Sequence, residues 1–282
     1  MLPAELARAI AAASGPIVFL TGAGISAESG VPTFRGAEGY WRVGSRNFQP
    51  MEMATAAAFA RMPDEVWRWY LFRRGICRTA APNAAHLALR AAEETLGDRF
   101  RLVTQNVDGL HRRAGNSAAR TYLIHGNIDD CRCSAGCAPA PRPIPEAVPL
   151  DWPRDRPLDD RDRAALRCAA CAAWLRPHVL WFDETYDEER YRFASTVRAA
   201  QAAAALIVVG TSGATTLPAH VCQIVADRGA PFIVVDPEPT PFAELAAATP
   251  AGLFLRGTAC AVVPPLVAAL AQAAGVRASP AT

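Results

Sequence analysis

Short apolar runs alternate with helical periodicities along most of the chain. Runs bounded by glycine or polar residues predict β-strands, and apolar residues recurring every three or four positions predict helices. The predicted strands are Ile17–Leu20, Phe100–Val103, Thr121–Ile124, Leu206–Val209, Phe232–Val235 and Leu253–Leu255. The predicted helices are residues 2–13, Ala84–Glu94, Leu217–Arg228 and Val262–Ala273. Strands that alternate with helices predict an α/β fold with a parallel sheet covered on both faces.

Two segments depart from this alternation. Residues 37–81 are rich in aromatic residues and arginine, and their pattern predicts helices. Residues 126–176 hold most of the cysteines and a proline-rich loop, Ala138–Pro157, in which we expect poor short-range order. Both segments are therefore expected to be insertions into the alternating fold.

Polar residues follow several of the predicted strands. A glycine-rich segment from Gly22 to Gly36 comes after the first strand, and glycines there let a backbone approach a pyrophosphate. Gly22 and Gly24 alone are a weak signal, because Ala27 replaces the third glycine of the usual dinucleotide fingerprint. The segments Thr104–His111 and His125–Asn127 follow two further strands. Together they predict a nucleotide-binding edge of the sheet.

Four of the eight cysteines form two close pairs separated by a long loop. Cys133 and Cys137 form the first pair, and Cys168 and Cys171 the second. Thiolates paired in this way can close a tetrahedral, structural zinc site. Cys131 lies close enough to compete as a ligand, and a reduced thiol cluster without metal is the other interpretation. The remaining three cysteines lie in apolar or helical settings and are expected to be buried: Cys77, Cys222 and Cys260.

Composition narrows the class of protein. With 282 residues, 51% hydrophobic and 20% charged, the chain is long enough for one large domain or a domain with a smaller lobe. A net charge of +2 is too small to indicate nucleic acid as the main partner. No apolar run approaches the roughly 20 residues that span a bilayer, and no signal-peptide pattern is present, so we expect no membrane association and a cytoplasmic location. All 29 basic residues are arginine, so the sequence contains no lysine that could be acylated.

The motifs, in this order, resemble the sirtuin family of NAD-dependent protein deacylases. The resemblance runs from about Ser14 to Leu270 and includes three further segments: Arg176–Phe182, Val209–Gly213 and Val235–Pro237. It implies a single sirtuin-type domain, 1–282, with NAD as co-substrate and one structural Zn²⁺. Its Rossmann-like part would comprise 1–36, 82–125 and 177–282. Its small lobe would comprise the helical segment 37–81 and the zinc module 126–176, with the substrate cleft between the two parts.

The resemblance also implies roles for individual residues. His125 matches the catalytic histidine, whereas His86, His111, His178 and His220 are predicted to be structural. The acyl-lysine oxygen would attack the ribose of NAD, nicotinamide would leave, and His125 would activate a ribose hydroxyl. The products would be lysine, nicotinamide and O-acyl-ADP-ribose. The residues implied in NAD binding are Gly22, Ala23, Gly24, Ser26, Phe34, Arg35, Gln105, Asn106, Asp108, Gly210, Thr211, Ser212, Asp236 and Ala259.

The implied substrate is an acyl-lysine protein or peptide. Tyr70 and Arg73 lie three residues apart on a predicted helix, as in the sirtuins that remove succinyl, malonyl and glutaryl groups, and a phenol with a guanidinium suits a terminal carboxylate. The alternative is a core tyrosine beside a surface arginine. Val179 and Phe182 match the segment that pairs with the peptide, where Asp183 replaces the usual glycine and could crowd or repel it.

Three functions therefore remain open. The favoured one is removal of acyl groups, preferably acidic ones, from protein lysines. An ADP-ribosyltransferase or NAD hydrolase could use the same pocket. A module that binds NAD or ADP-ribose without turnover is the third. Analysis of the products separates them.

Overall fold

A computed structural model describes residues 2–32, 50–137 and 140–274 of the chain. All six predicted strands are present, and none of their ends differs from the prediction by more than one residue. The strands are β1 (Ile17–Thr21), β2 (Phe100–Thr104), β3 (Thr121–Leu123), β4 (Gly126–Cys133), β5 (Arg142–Pro143), β6 (Leu175–Val179), β7 (Ala205–Val209), β8 (Phe232–Asp236) and β9 (Gly252–Arg256).

The main sheet is parallel and has the order β3-β2-β1-β7-β8-β9. Strand β1 lies in its middle, with Ile17 beside Phe100 on one side and beside Ala205 on the other. The order changes direction between β1 and β7. In open α/β sheets the crevice at the carboxyl ends of the strands at such a switch point is where ligands bind. The fold is thus the predicted Rossmann-like one, and it places the loops after β1 and β7 at this crevice.

The helices of the described residues flank the sheet or belong to one of the two insertions. Three predicted long helices are confirmed within a few residues, and the N-terminal one is shorter than predicted. The helices are α1 (Ala4–Ala12), α2 (Pro50–Met53), α3 (Ala56–Arg61), α4 (Pro63–Thr79), α5 (Ala84–Leu96), α6 (Leu110–Arg113), α7 (Asp160–Ala165), α8 (Glu188–Tyr191), α9 (Phe193–Gln201), α10 (Thr216–Asp227), α11 (Pro241–Ala248) and α12 (Ala259–Ala273). Two 3-10 helices, Ala23–Ser29 and Gly97–Arg99, precede or follow strands.

Both faces of the main sheet are buried. Ile17 and Phe19 of β1 pack into one apolar cluster with residues of α1, α5 and α12. Val18 and Leu20 point to the opposite face and pack into a second cluster with residues of α10 and α11. Side chains alternate between the faces of a strand, so a strand covered on both faces needs an unbroken apolar run. The run in β1 meets this requirement.

A third apolar cluster joins the two insertions. Strand β4 pairs antiparallel with β5 and β6, and α4 packs on this small sheet. The indole of Trp67 on α4 donates a hydrogen bond of 2.7 Å to the carbonyl oxygen of Leu175 on β6. We refer to α2–α4, β4–β6, α7 and the loops joining β4 to β6 as the small lobe. The helical prediction for residues 37–81 holds over 50–79, and the rest of that range lies partly outside the described residues.

The proline-rich loop differs from the expectation of poor order. Apart from the two residues of β5 it is largely irregular, but Ile144, Val148 and Trp152 are buried in the core of the small lobe. The Trp152 indole also donates a hydrogen bond to the carbonyl oxygen of Arg156. The density of proline predicts an irregular backbone, whereas order depends on whether apolar side chains pack into a core. In this loop three apolar side chains do so, and the loop is therefore held in place.

None of the helices in the three described ranges is long and apolar enough to cross a membrane.

Candidate active site

The two glycine-rich loops at the switch point touch each other. The backbone N–H of Gly24 donates a hydrogen bond of 2.8 Å to the carbonyl oxygen of Gly210. A Cβ added at Gly24 would lie 2.6 Å from the Gly210 Cα, and Gly210 itself has a φ of +60°. The Gly22 N–H is bonded to Val209 in the same way. Glycine is therefore required at these positions, because a side chain would prevent the backbone contact between the two loops at the crevice.

A buried polar network joins the loop after β1 to the loop after β2. The Ser26 hydroxyl donates to the Asp108 carboxylate at 2.7 Å. The Asn106 amide donates to the carbonyl oxygen of Gly22 at 2.9 Å and to the Ser26 hydroxyl at 3.1 Å. Burial raises the pKa of Asp108, and hydrogen bonds from the Leu110 N–H and Ser26 oppose this rise. The network fixes three of the predicted NAD-binding side chains relative to one another.

These residues border a small cleft. Ala23, Ser26 and Pro32 line it on one side and Asn106 and Asp108 on the other. Two further predicted NAD-binding residues, Phe34 and Arg35, lie outside the described residues.

Gln105 links the loop after β2 to the loop after β7. Its amide nitrogen donates to the Thr211 hydroxyl at 2.8 Å, and its amide oxygen accepts from the Thr215 hydroxyl at 2.9 Å. Ser212 follows Thr211 in that loop and is half-buried. Thr215 is a site residue without a signal in the sequence, because no pattern distinguishes it from its neighbours after the glycine-containing motif.

The remaining predicted NAD-binding residues lie farther along the same edge. Asp236 ends β8, where burial raises the pKa of its carboxyl group. Ala259 begins α12 and is buried, and the next N–H of that helix donates to Glu28 at 2.9 Å. The fold therefore brings the described members of the predicted set to the carboxyl edge of one sheet.

His125 follows β3 and is held at both ring nitrogens. Its Nδ1 lies 3.0 Å from the carbonyl oxygen of Gln105, and its Nε2 lies 2.8 Å from the hydroxyl of Tyr186. A carbonyl oxygen can only accept, so Nδ1 carries the proton and Nε2 carries the lone pair. Burial lowers the pKa of His125 to about 4, so the imidazole is neutral at pH 7.

The turn after His125 depends on a glycine. Gly126 has a φ of +84°, and a Cβ there would lie 2.0 Å from the carbonyl oxygen of His178. Strand β4 consequently runs directly against β6, with Gly126 beside Val179. The carbonyl oxygen of His125 also accepts a hydrogen bond of 3.0 Å from the Leu180 N–H. These contacts fix the histidine relative to the segment that follows β6.

Tyr186 is a site residue that the sequence did not reveal. It lies on the loop between β6 and α8, four residues beyond Phe182, and its ring centroid lies 5.8 Å from that of His125. Burial raises the pKa of the Tyr186 phenol to about 12, and the neighbouring Thr215 hydroxyl opposes this rise. The available signal was its place shortly after the predicted substrate segment, but a single tyrosine in a loop has no diagnostic spacing.

The predicted peptide-pairing residues border the small lobe. Val179 ends β6, and the half-exposed Phe182 donates its backbone N–H to the carbonyl oxygen of Ala54 at 3.0 Å. Both carboxylate oxygens of Asp183 accept hydrogen bonds from the first two N–H groups of α3, those of Ala56 and Ala57, at 2.7 and 3.1 Å.

Tyr70 and Arg73 are both buried on α4. The Tyr70 hydroxyl accepts a hydrogen bond of 2.9 Å from the indole of Trp181. The Arg73 guanidinium lies over the ring of Trp69, 4.6 Å from its centroid. Burial is the main cause that raises the pKa of Tyr70, and the nearby Arg73 charge acts against it. The arginine is thus not the surface residue of the alternative interpretation.

The two cysteine pairs converge on one point. Cys137 Sγ lies 3.4 Å from Cys133 Sγ, 3.5 Å from Cys168 Sγ and 3.2 Å from Cys171 Sγ, and all four sulfur atoms lie within 4.8 Å of one another. A tetrahedral Zn²⁺ with bonds of about 2.3 Å separates its sulfur ligands by roughly 3.8 Å. Four thiols at this spacing fit one structural zinc ion. Cys131 is not part of the cluster, and its Sγ lies 3.7 Å from the carbonyl oxygen of Pro143.

Buried histidines other than His125 have structural partners. His86 and the Asn83 side chain form the capping box that begins α5. The His111 ring contacts the Thr21 hydroxyl at 3.0 Å, and His178 stacks on the ring of Tyr191. These contacts agree with the structural roles predicted for them.

Comparisons with known proteins agree with this geometry. A model described as the Sir2 family matches residues 22–216. The chain is 39% identical over 249 residues to an NAD-dependent protein deacylase of Leptospira interrogans, covering 88% of this chain and 90% of that protein. It is 40% identical over 237 residues to the mitochondrial NAD-dependent protein deacylase sirtuin-5 of Danio rerio, covering 80% and 75%. A crystal structure of a Sir2 homologue–NAD complex superposes with a TM-score of 0.78 at 35% identity, covering 97% and 96%.

Proposed function

The chain belongs to the Sir2 family, and from that premise we propose that it is an NAD-dependent protein-lysine deacylase with a preference for acidic acyl groups. Its relatives from Leptospira interrogans and Danio rerio carry the name NAD-dependent protein deacylase. The proposed products are free lysine, nicotinamide and O-acyl-ADP-ribose. The proposed domain organisation is the Rossmann-like part and the small lobe on either side of a substrate cleft.

The crevice at the switch point has the chemistry that NAD requires. Small residues, Ala23 and Ser26, leave room beside the cleft, and Asn106 and Asp108 offer polar atoms for ribose hydroxyls. A structure of a Sir2 homologue with this fold contains NAD. Bound NAD would supply the electrophilic ribose carbon that accepts the acyl oxygen. We propose that the predicted NAD-binding residues hold it along the carboxyl edge of β1, β2, β7 and β8.

The observation that carries the proposal is the hydrogen bonding of His125. Because Nδ1–H is committed to the carbonyl oxygen of Gln105, Nε2 is the atom that can accept a proton. Its pKa of about 4 keeps it neutral, and its place after β3 puts it at the edge where the glycine loops meet. We therefore assign proton acceptance from a ribose hydroxyl to His125 Nε2.

The acyl preference rests on the buried Tyr70 and Arg73. A chain of two hydrogen bonds relates them to His125: the His125 carbonyl oxygen accepts from Leu180 N–H, and the next residue, Trp181, donates to Tyr70. The indole is the donor in that bond, so Tyr70 keeps its own O–H for an acceptor such as a carboxylate. A guanidinium buried one helical turn away adds a positive charge of the kind that binds a terminal carboxylate.

The experiment is a turnover assay with NAD and one peptide carrying acetyl-, malonyl- or succinyl-lysine. Preference for malonyl and succinyl, with O-acyl-ADP-ribose as product by mass spectrometry, is the expected result. Preference for acetyl-lysine would agree with the deacylase function and would contradict the proposed pocket for acidic acyl groups. Free ADP-ribose with the peptide unchanged would indicate an NAD hydrolase, and no nicotinamide release would indicate a binding module. The enzyme contains no lysine side chain, so acyl-lysine signals come from the peptide alone.

A further inference from the structure

His125 has one lone pair, and Tyr186 occupies it. A neutral imidazole has one N–H and one acceptor nitrogen. The Gln105 carbonyl oxygen takes the N–H, and Tyr186 places its hydroxyl 2.8 Å from the acceptor Nε2. The phenol must therefore be the donor in this bond. A substrate hydroxyl that gives its proton to His125 needs the same lone pair, so it and the Tyr186 hydroxyl exclude each other.

Tyr186 is held in this position by packing and lies beside a hydrogen-bond network centred on Gln105. The Gln105 backbone carbonyl oxygen accepts from His125 Nδ1–H, and its side-chain oxygen accepts from the Thr215 hydroxyl at 2.9 Å. The tyrosine ring also packs against Phe193 at 6.4 Å between centroids and is half-buried against the main core. The contact between Tyr186 and His125 thus belongs to one packed resting arrangement.

The loop that carries Tyr186 directly follows the segment that we propose binds the peptide. Phe182 lies four residues before Tyr186, and its side chain is about half exposed. Asp183 and the Phe182 N–H fasten the start of the loop to α3 and to Ala54. The far end of the loop continues into α8, whose first turn is capped by Asp187. A peptide bound to Val179–Phe182 would therefore contact the start of the loop that positions Tyr186.

We propose that Tyr186 is a gate on the catalytic base: it occupies His125 Nε2 at rest and releases it when an acyl-lysine peptide binds to the segment after β6. The gate rests on the proposed deacylase function and adds a residue that acts through His125. Tyr186 is a positioning residue in this scheme, because it acts through His125: its hydroxyl must move away from Nε2 before a substrate hydroxyl can donate a proton there. It keeps the base from acting before the peptide is in place.

The test compares Tyr186→Phe with the wild-type protein in the acyl-peptide assay. The variant keeps the ring and removes the competing hydroxyl, so kcat/KM for deacylation is expected to rise about 2- to 10-fold, the size of one net hydrogen bond. Tyr191→Phe is the matched control, because its hydroxyl is 3.0 Å from Arg132 and not bonded to His125, and it is expected to leave kcat/KM unchanged. An unchanged or lower kcat/KM in Tyr186→Phe overturns the gate.

A second measurement reads the contact without turnover. The ¹⁵N resonance of His125 Nε2 is expected to shift in Tyr186→Phe and not in Tyr191→Phe. In the wild-type protein, a saturating acyl-lysine peptide with a non-reactive NAD analogue is expected to move the same resonance, and no movement with bound peptide overturns the release step. If the wild-type protein does not deacylate the peptide, both the proposed function and the gate are contradicted. If the wild-type protein deacylates the peptide and Tyr186→Phe is no faster, only the gate is contradicted.

Discussion

The carboxylate of Asp183 accepts a hydrogen bond of 2.7 Å from the backbone N–H of Ala56. Its second oxygen accepts from the N–H of Ala57, so one side chain satisfies the first two donors of α3. The sequence leads us to expect a side chain that crowds or repels the peptide. The structure assigns it a partner inside the protein, and its effect on peptide affinity stays a prediction.

Asp183→Ala is expected to lower the free energy of unfolding by about 1 kcal/mol, because a charged acceptor at a helix N-terminus is lost. Urea denaturation measures the change. Asp151→Ala, at an exposed aspartate of the proline-rich loop, is the matched control and is expected to change it little. Equal effects of the two substitutions would show that the bonds to α3 contribute nothing.

Removal of zinc is expected to destabilise the small lobe, because the two cysteine pairs then lose the ion that would hold them together and metal binding adds to folding free energy. Cys168→Ser is expected to reduce bound zinc from one ion per chain to none, measured by elemental analysis. Cys131→Ser is expected to keep the ion, since this thiol lies outside the four-sulfur cluster. Zinc lost in Cys131→Ser and kept in Cys168→Ser would reverse the ligand assignment.

His125→Ala is expected to reduce deacylation by about 10²- to 10⁴-fold, the usual contribution of a general base. NAD binding, measured by calorimetry, is expected to change little, because the polar network of Ser26, Asn106 and Asp108 does not include the imidazole. His220→Ala on α10 is the control and is expected to retain activity. A variant at His125 with unchanged turnover would remove the proton-transfer assignment.

Arg73→Met is expected to lower kcat/KM for desuccinylation by about 10- to 100-fold, the range of a lost hydrogen bond to a charged group. Deacetylation is expected to change little, because an acetyl group has no carboxylate to bind. Arg68→Met, on the same helix and paired with Glu65, controls for the loss of a positive charge from α4. Equal losses on both substrates would exclude Arg73 from a role in selectivity.

Stability is expected to fall as the pH is lowered from 6.5 towards 4. Burial lowers the pKa of His86, His125 and His178 to about 4 each, while the unfolded chain titrates near 6.5. Between these values the unfolded state binds more protons, so acid favours unfolding, by up to about 4 kcal/mol per pH unit for three groups. Urea denaturation at pH 7.5, 6.5 and 5.5 measures the slope. A constant free energy of unfolding over this range would contradict it.

The apolar pattern of the chain was sufficient to predict the main sheet and the polar residues at its carboxyl edge. The apolar run Ile17–Leu20 has no polar interruption, and a strand buried on both faces is the structure that such a run stabilises. Polar residues that follow the strands then meet at one edge because the strands are parallel. The four zinc-site cysteines were likewise readable from their pairing, because ligand type and close spacing are local properties.

The tertiary structure was needed to learn which side chains and backbone groups form hydrogen bonds with each other. No local pattern indicates that Asp183 meets Ala56, since 127 residues separate them in the chain. The choice against Cys131 as a zinc ligand depends on how β4 pairs with β5, and the occupation of His125 by Tyr186 depends on a loop 61 residues away. Hydrogen bonds are short and directional, so which donor reaches which acceptor is fixed only when the packed elements bring them within about 3 Å. Residue types and their spacing identify which functional groups are available, and the packing determines which of these groups come into contact.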